Sequence, residues 1–162
     1  MAIDMFLKID GVDGESIDDK HRNEIALLSF SWGEAQLTPA GGAGGGGGVG
    51  KLTMQDFHFT APVNKSSPRL FLACAKGEHF KTAVLTVRRT GATPTDFFVW
   101  RLGEIVVSSY QSSAELAGGA LPVDHVSMSF SKIELEYRPM NPDGAPGAAV
   151  KAGWNLKAGR PI

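Results

Sequence analysis

Three long runs of this chain alternate apolar and polar residues as strands do, and each changes phase partway along. In residues 52–60 the apolar set moves from Leu52 and Met54 to Phe57 and Phe59. In residues 97–108 it moves from Phe98, Trp100 and Leu102 to Ile105 and Val107, with Gly103 at the step. In residues 126–137 it moves from Val126, Met128 and Phe130 to Ile133, Leu135 and Tyr137. Successive side chains of a strand point to opposite faces, so such a change needs a bulge, a bend or an exchange of the buried face. Repeated slips predict strongly curved sheets, as in a small closed barrel.

The remaining pattern agrees with a mainly β fold. Ile3, Met5, Leu7 and Ile9 alternate with Asp4, Lys8 and Asp10, and Gly11-Val12-Asp13-Gly14 turns the chain. Residues 25–32 read as a second strand, with Leu28, Phe30 and Trp32 on one face and Ser29 and Ser31 on the other. Residues 82–90 and 150–157 supply further strands. One short α-helix is expected at about residues 68–76: Ser67 serves as N-cap, Pro68 opens the first turn and Gly77 closes the last. Leu70, Phe71, Cys74 and Ala75 fall on its sheet-facing side and Leu72 on the other, which makes Leu72 a candidate interface residue. The expected architecture is a small curved-sheet β-barrel, a single domain over residues 1–162, with one helix and a Gly-rich extended loop.

That loop is residues 41–50, glycine except at Ala43 and Val49, followed by Lys51. Gly45 to Lys51 matches a phosphate-cradling G-x-x-x-x-G-K, but Leu52 stands where the magnesium-binding hydroxyl belongs. A strand-like run follows where such a loop needs a helix N-terminus. Glycine carries the largest ordering cost, so the tract is expected to order against a partner.

The sequence of 162 residues has a 43% apolar fraction and no apolar run of membrane-spanning length, so membrane insertion is not expected. The net charge is −1, and Arg88-Arg89 is the only basic doublet, which argues against nucleic acid as a partner. The start lacks the pattern of a secretory signal, and the lone Cys74, read as a small core residue, has no internal disulfide partner. Synthesis and folding in the cytoplasm follow, with any export by a route independent of signal peptides.

No chemistry is apparent. His21, His58, His79 and His125 have no metal-ligand spacing, and Asp10, Asp13 and Glu15 lack that of a calcium loop. Glu134 and Glu136 alternate with Ile133, Leu135 and Tyr137 as a wet strand face. Neither a nucleophile elbow nor a local cysteine–histidine pair is present. The expectation is a binding or building module: no enzyme, no catalytic residues, no cofactor and no metal. A monomeric ligand-binding barrel, or a small enzyme with a site assembled from distant residues, is the alternative.

Motifs spread from the first strand to the last resemble the Hcp family, the haemolysin-coregulated proteins of type VI secretion systems. They include Asp4-Met5-Phe6-Leu7-Lys8-Ile9, Gly14-Glu15-Ser16, Ser31-Trp32-Gly33, Gly50-Lys51 and Gln55-Asp56-Phe57. Lys65-Ser66-Ser67-Pro68, Ala73-Cys74, residues 104–109, Tyr137-Arg138-Pro139, Asp143-Gly144 and Gly153-Trp154-Asn155 continue the match in order. The resemblance implies a homohexameric ring that stacks into an exported tube. A contractile sheath surrounds the tube, a VgrG-type spike protein tips it, and effector proteins ride in the lumen. It implies delivery to the extracellular space or a target cell. The chain's end soon after its last strand argues against a built-in toxin. On that reading Ser29 and Ser31 are lumen candidates for effector contact. Gly41, Gly42, Gly44, Gly45, Gly46, Gly47, Gly48 and Val49 are ring-stacking candidates.

Overall fold

The computed structural model describes residues 2–37 and 50–162. The candidate stacking residues 41–49 therefore lie outside the described residues. In chain order the strands are β1 (Ile3–Ile9), β2 (Ile25–Ala26), β3 (Ser29–Ser31), β4 (Glu34–Leu37), β5 (Lys51–Met54) and β6 (Phe57–Pro62). The helix α1 (Ser67–Lys76) follows. Then come β7 (His79–Arg89), β8 (Thr95–Ser113), β9 (Val123–Ser129), β10 (Lys132–Tyr137), β11 (Val150–Asn155) and β12 (Arg160–Pro161). The fold is mainly β, antiparallel and curved, with one short helix, as the patterning predicts.

Each phase slip turns out to be a place where the chain changes partner. The run at residues 52–60 splits: β5 pairs β4 in a separate hairpin, while β6 pairs β3 and β9. The run at 126–137 splits at Phe130-Ser131 into β9 and β10. The run at 97–108 stays continuous within the long β8 and inverts its buried face at Gly103-Glu104, where Glu104 adopts a left-handed φ of 53°. One edge of β8 pairs β7; the other holds β10 along the first half and β9 along the second. A further register shift lies between Val107 and Ser109.

Among the described residues the ladder does not close into a barrel, contrary to the expectation of closure. Residues 25–32 are not one strand. Ile25-Ala26 pairs with β1, then Leu28 N–H donates to the Thr60 carbonyl and Ser29–Ser31 pairs with β6. This step from one edge to another turns Leu28 outward, 53% exposed, instead of onto the face shared by Phe30 and Trp32. The hairpin β4–β5 stands apart as a two-stranded sheet.

Between the curved faces lies one apolar core, centred on Leu7, Ile9, Phe57, Phe59, Leu85, Ile105, Val126 and Met128. β6 and β9 show the cleanest alternation, with Phe57, Phe59, Ala61, Val126 and Met128 turned in. Helix α1 covers one side through Leu70 and Ala73. Phe71 and Ala75, expected to pack on the sheet, are exposed, and Cys74 is half-buried. Ser66 rather than Ser67 stands at the cap position, and its side chain makes no capping bond. The Ser67 hydroxyl instead donates to the buried Asp124 carboxylate, which also accepts from the Tyr110 hydroxyl at 2.7 Å. Burial, then hydrogen bonding to Asp124, pushes the Tyr110 phenol above its ordinary range.

Glu136, expected on a wet strand face, is buried. Arg101, Arg138 and Lys151 surround its carboxylate at 2.8, 3.1 and 3.5 Å. Burial pushes its pKa up, but the Arg101 hydrogen bond and the three positive charges outweigh that and hold it low.

Candidate functional site

The strands β3, β6, β9 and the second half of β8 place every second residue on one outward face. Ser29 pairs with Thr60, Ser31 with His58, His58 with Ser127, and Thr60 with His125. Ser109 and Gln111 continue the rows opposite Ser127 and His125. The inward partners of these residues are core, so the alternation itself forces the polar set outward.

The two lumen candidates are thus brought together on one face. The Ser29 and Thr60 hydroxyls lie 2.5 Å apart, His58 Nδ1 is 3.1 Å from Ser127 Oγ, and Ser113 Oγ is 3.4 Å from His125 Nε2. The rings of His58 and His125 stack at 6.1 Å between centroids. The rows named here contain only hydroxyl, imidazole and amide groups. A surface of this kind offers both hydrogen-bond donors and acceptors. His58 and His125 were not among the sequence candidates, because they join the face only through pairings between distant segments.

Leu72 sits elsewhere, on the outer side of α1, 42% exposed beside Phe71 at 60%. Phe71 meets Tyr110 edge to face at 6.2 Å. The basic doublet is absorbed within the molecule: Arg88 pairs with Asp18 and Asp4, and the Arg89 guanidinium lies 4.0 Å from the centre of the Phe97 ring. A cleft of about 650 Å³ opens between hairpin β4–β5 and strands β10 and β11, walled by Trp32, Trp100, Trp154, Leu52 and Met54. Among the described residues no group of three or more His, Cys, Asp or Glu side chains is arranged to hold a metal ion, and no helix is long and apolar enough to cross a membrane.

The described residues form a curved antiparallel β fold with one short helix and an outward face of hydroxyl, imidazole and amide groups. The family model described as "Type VI secretion system effector, Hcp" matches residues 6–137. A curated relative, protein hcp1 of Pseudomonas aeruginosa, is 40% identical over 159 residues, 97% of each chain. The crystal structure of Hcp1 from Salmonella typhimurium superposes with a TM-score of 0.82 at 32% identity, covering 100% of both chains. Another solved type six secretion system protein reaches a TM-score of 0.93 at 29% identity, covering 99% of this chain and 100% of its own. This chain belongs to the Hcp family of type VI secretion proteins.

Proposed function

We propose that this chain is the structural subunit of a type VI secretion inner tube, without enzymatic activity. Six copies close head to tail into a ring, rings stack, and effector proteins are carried in the lumen against the face of Ser29 and Ser31. The tube meets a VgrG-type spike at its tip and a contractile sheath around it, and leaves the cytoplasm with its cargo. The observation that carries this reading is the 40% identity to P. aeruginosa hcp1 across 97% of both chains.

Physical features favour it. Ring closure requires a heterologous interface, two different patches of one surface that fit each other. At the ends of the ladder, β2 and β12 each pair with a single neighbour among the described residues, and β3 pairs only with β6. Such edges leave backbone donors and acceptors that a neighbouring chain can pair, although these strands are short. The test is native mass in solution by size exclusion with light scattering. Six chains of 17.2 kDa give about 103 kDa, the closed ring. A monomer stable across concentrations overturns the ring.

The tryptophan-walled cleft favours one other reading, a monomeric binder of an apolar small molecule. The same measurement separates the two, since that reading requires the monomer.

A further inference from the structure

We propose that His58 and His125 form a two-imidazole site for a borderline divalent transition cation of the zinc, nickel or copper(II) class. The register of β6 on β9 puts the two residues at diagonal positions of the same outward face, within reach of each other for long side chains. Their ring centroids are 6.1 Å apart and their planes differ by 28°. Metal–nitrogen bonds of about 2.0–2.1 Å place two imidazoles on one cation with centroids about 4.5–6.5 Å apart, depending on the angle at the metal. The observed centroid spacing lies in this range; the nearly parallel rings must turn about their side-chain bonds to aim one nitrogen each at a common cation.

Each ring already has one nitrogen engaged. His58 Nδ1 faces Ser127 Oγ at 3.1 Å, and His125 Nε2 faces Ser113 Oγ at 3.4 Å. That leaves His58 Nε2 and His125 Nδ1 for a cation. A ligating imidazole characteristically has its second nitrogen held by a hydrogen bond, which fixes the tautomer that binds. Two neutral imidazoles select zinc, nickel or copper over calcium and magnesium, which require oxygen ligands. With only two protein ligands, one fewer than an open catalytic zinc site has, the remaining positions go to water or to a donor on a bound molecule. Placement of these open positions toward cargo rests on the tube reading; the cation site itself does not.

The experiment is calorimetric titration of untagged protein with zinc chloride at neutral pH, with native mass measured on the same sample. One zinc per chain is expected. Loss of an outer partner alone weakens metal sites 10–100-fold, so His58→Gln and His125→Gln should each bind roughly tenfold or more weakly. His79→Gln, on β7, should bind as the unchanged protein does. Nitrogen-15 spectra of the unchanged protein need no variant: zinc should shift His58 Nε2 and His125 Nδ1. Absence of saturable binding, an affinity in both variants equal to that of the unchanged protein, or shifts confined to other histidines overturns the site. A zinc-binding monomer would keep the site and remove the ring, whereas a hexamer without zinc binding would do the reverse.

Discussion

Arg88 ties the loop after β1 to the sheet. Its guanidinium grips both Asp18 carboxylate oxygens at 2.9 and 2.6 Å, reaches Asp4 at 3.3 Å and lies 4.9 Å from the centre of the Phe6 ring. His21 stacks on Phe6 at 4.4 Å between centroids and bridges Glu24 and Asp96. The Arg88 hydrogen bond holds Asp18 far below the usual carboxylate range. Glu78 is lowered by Arg69, Glu104 by Lys157, and Glu136 by its three cations despite burial. A carboxyl whose pKa is lower folded than unfolded stabilises the fold above its unfolded value of about 4, and that contribution is lost as pH falls toward the folded value. Burial raises Glu24, which acts the other way. With four lowered groups against one raised, the melting temperature should drop between neutral pH and about pH 3, and Arg88→Met should flatten part of that drop in melts across pH. Ser31 is exposed on the polar face, so Ser31→Glu should leave the fold and native mass unchanged. On the tube reading it reduces effector co-purification and export; undiminished effector levels would remove Ser31 from the cargo face.

The helix divides its residues between packing and exposure. Leu70 is 1% exposed and Ala73 is fully buried, while Phe71 and Leu72 stand out. Gly77 ends the helix at φ 64°, where its own amide and the next donate to the Cys74 and Ala73 carbonyls. Leu70→Ala should cost about 2–5 kcal/mol in urea unfolding. Leu72→Ser should stay within about 0.5 kcal/mol, as exposed positions do. If Leu72 lies in a contact between copies, Leu72→Ser lowers the hexamer fraction in sedimentation at unchanged stability. An unaltered distribution would take it out of the interface. The loop between β4 and β5 belongs to stacking on our reading. Deleting residues 43–49 should then leave the hexamer mass intact and abolish tubes in electron micrographs, an outcome reversed if tubes form normally.

For the whole molecule, partner exchange along the chain explains why the curved sheet needs no unbroken ladder. β8 serves three neighbours, β7 on one edge and β10 then β9 on the other, and residues 25–31 pass from the edge of β1 to that of β6. Much of this was legible in the sequence, because alternation fixes which side chains share a face, and Ser29 and Ser31 needed nothing more. The glycine at position 77 and the proline at position 68 likewise marked the helix, since few residues suit those backbone positions. Leu28 and Glu136 are placed largely by contacts with other strands, through Thr60 for the first and Arg101 and Lys151 for the second. Glu136 looks like any strand-surface acid until Arg101, Arg138 and Lys151 converge on it. The same holds for His58 and His125, 6.1 Å apart in space and on separate strands. Local periodicity and turn chemistry, which act between near neighbours, determined most of the strands and the helix. Register and the choice of strand partner depend on packing across the core, so only the tertiary structure decided the open ladder, the buried acid and the paired imidazoles.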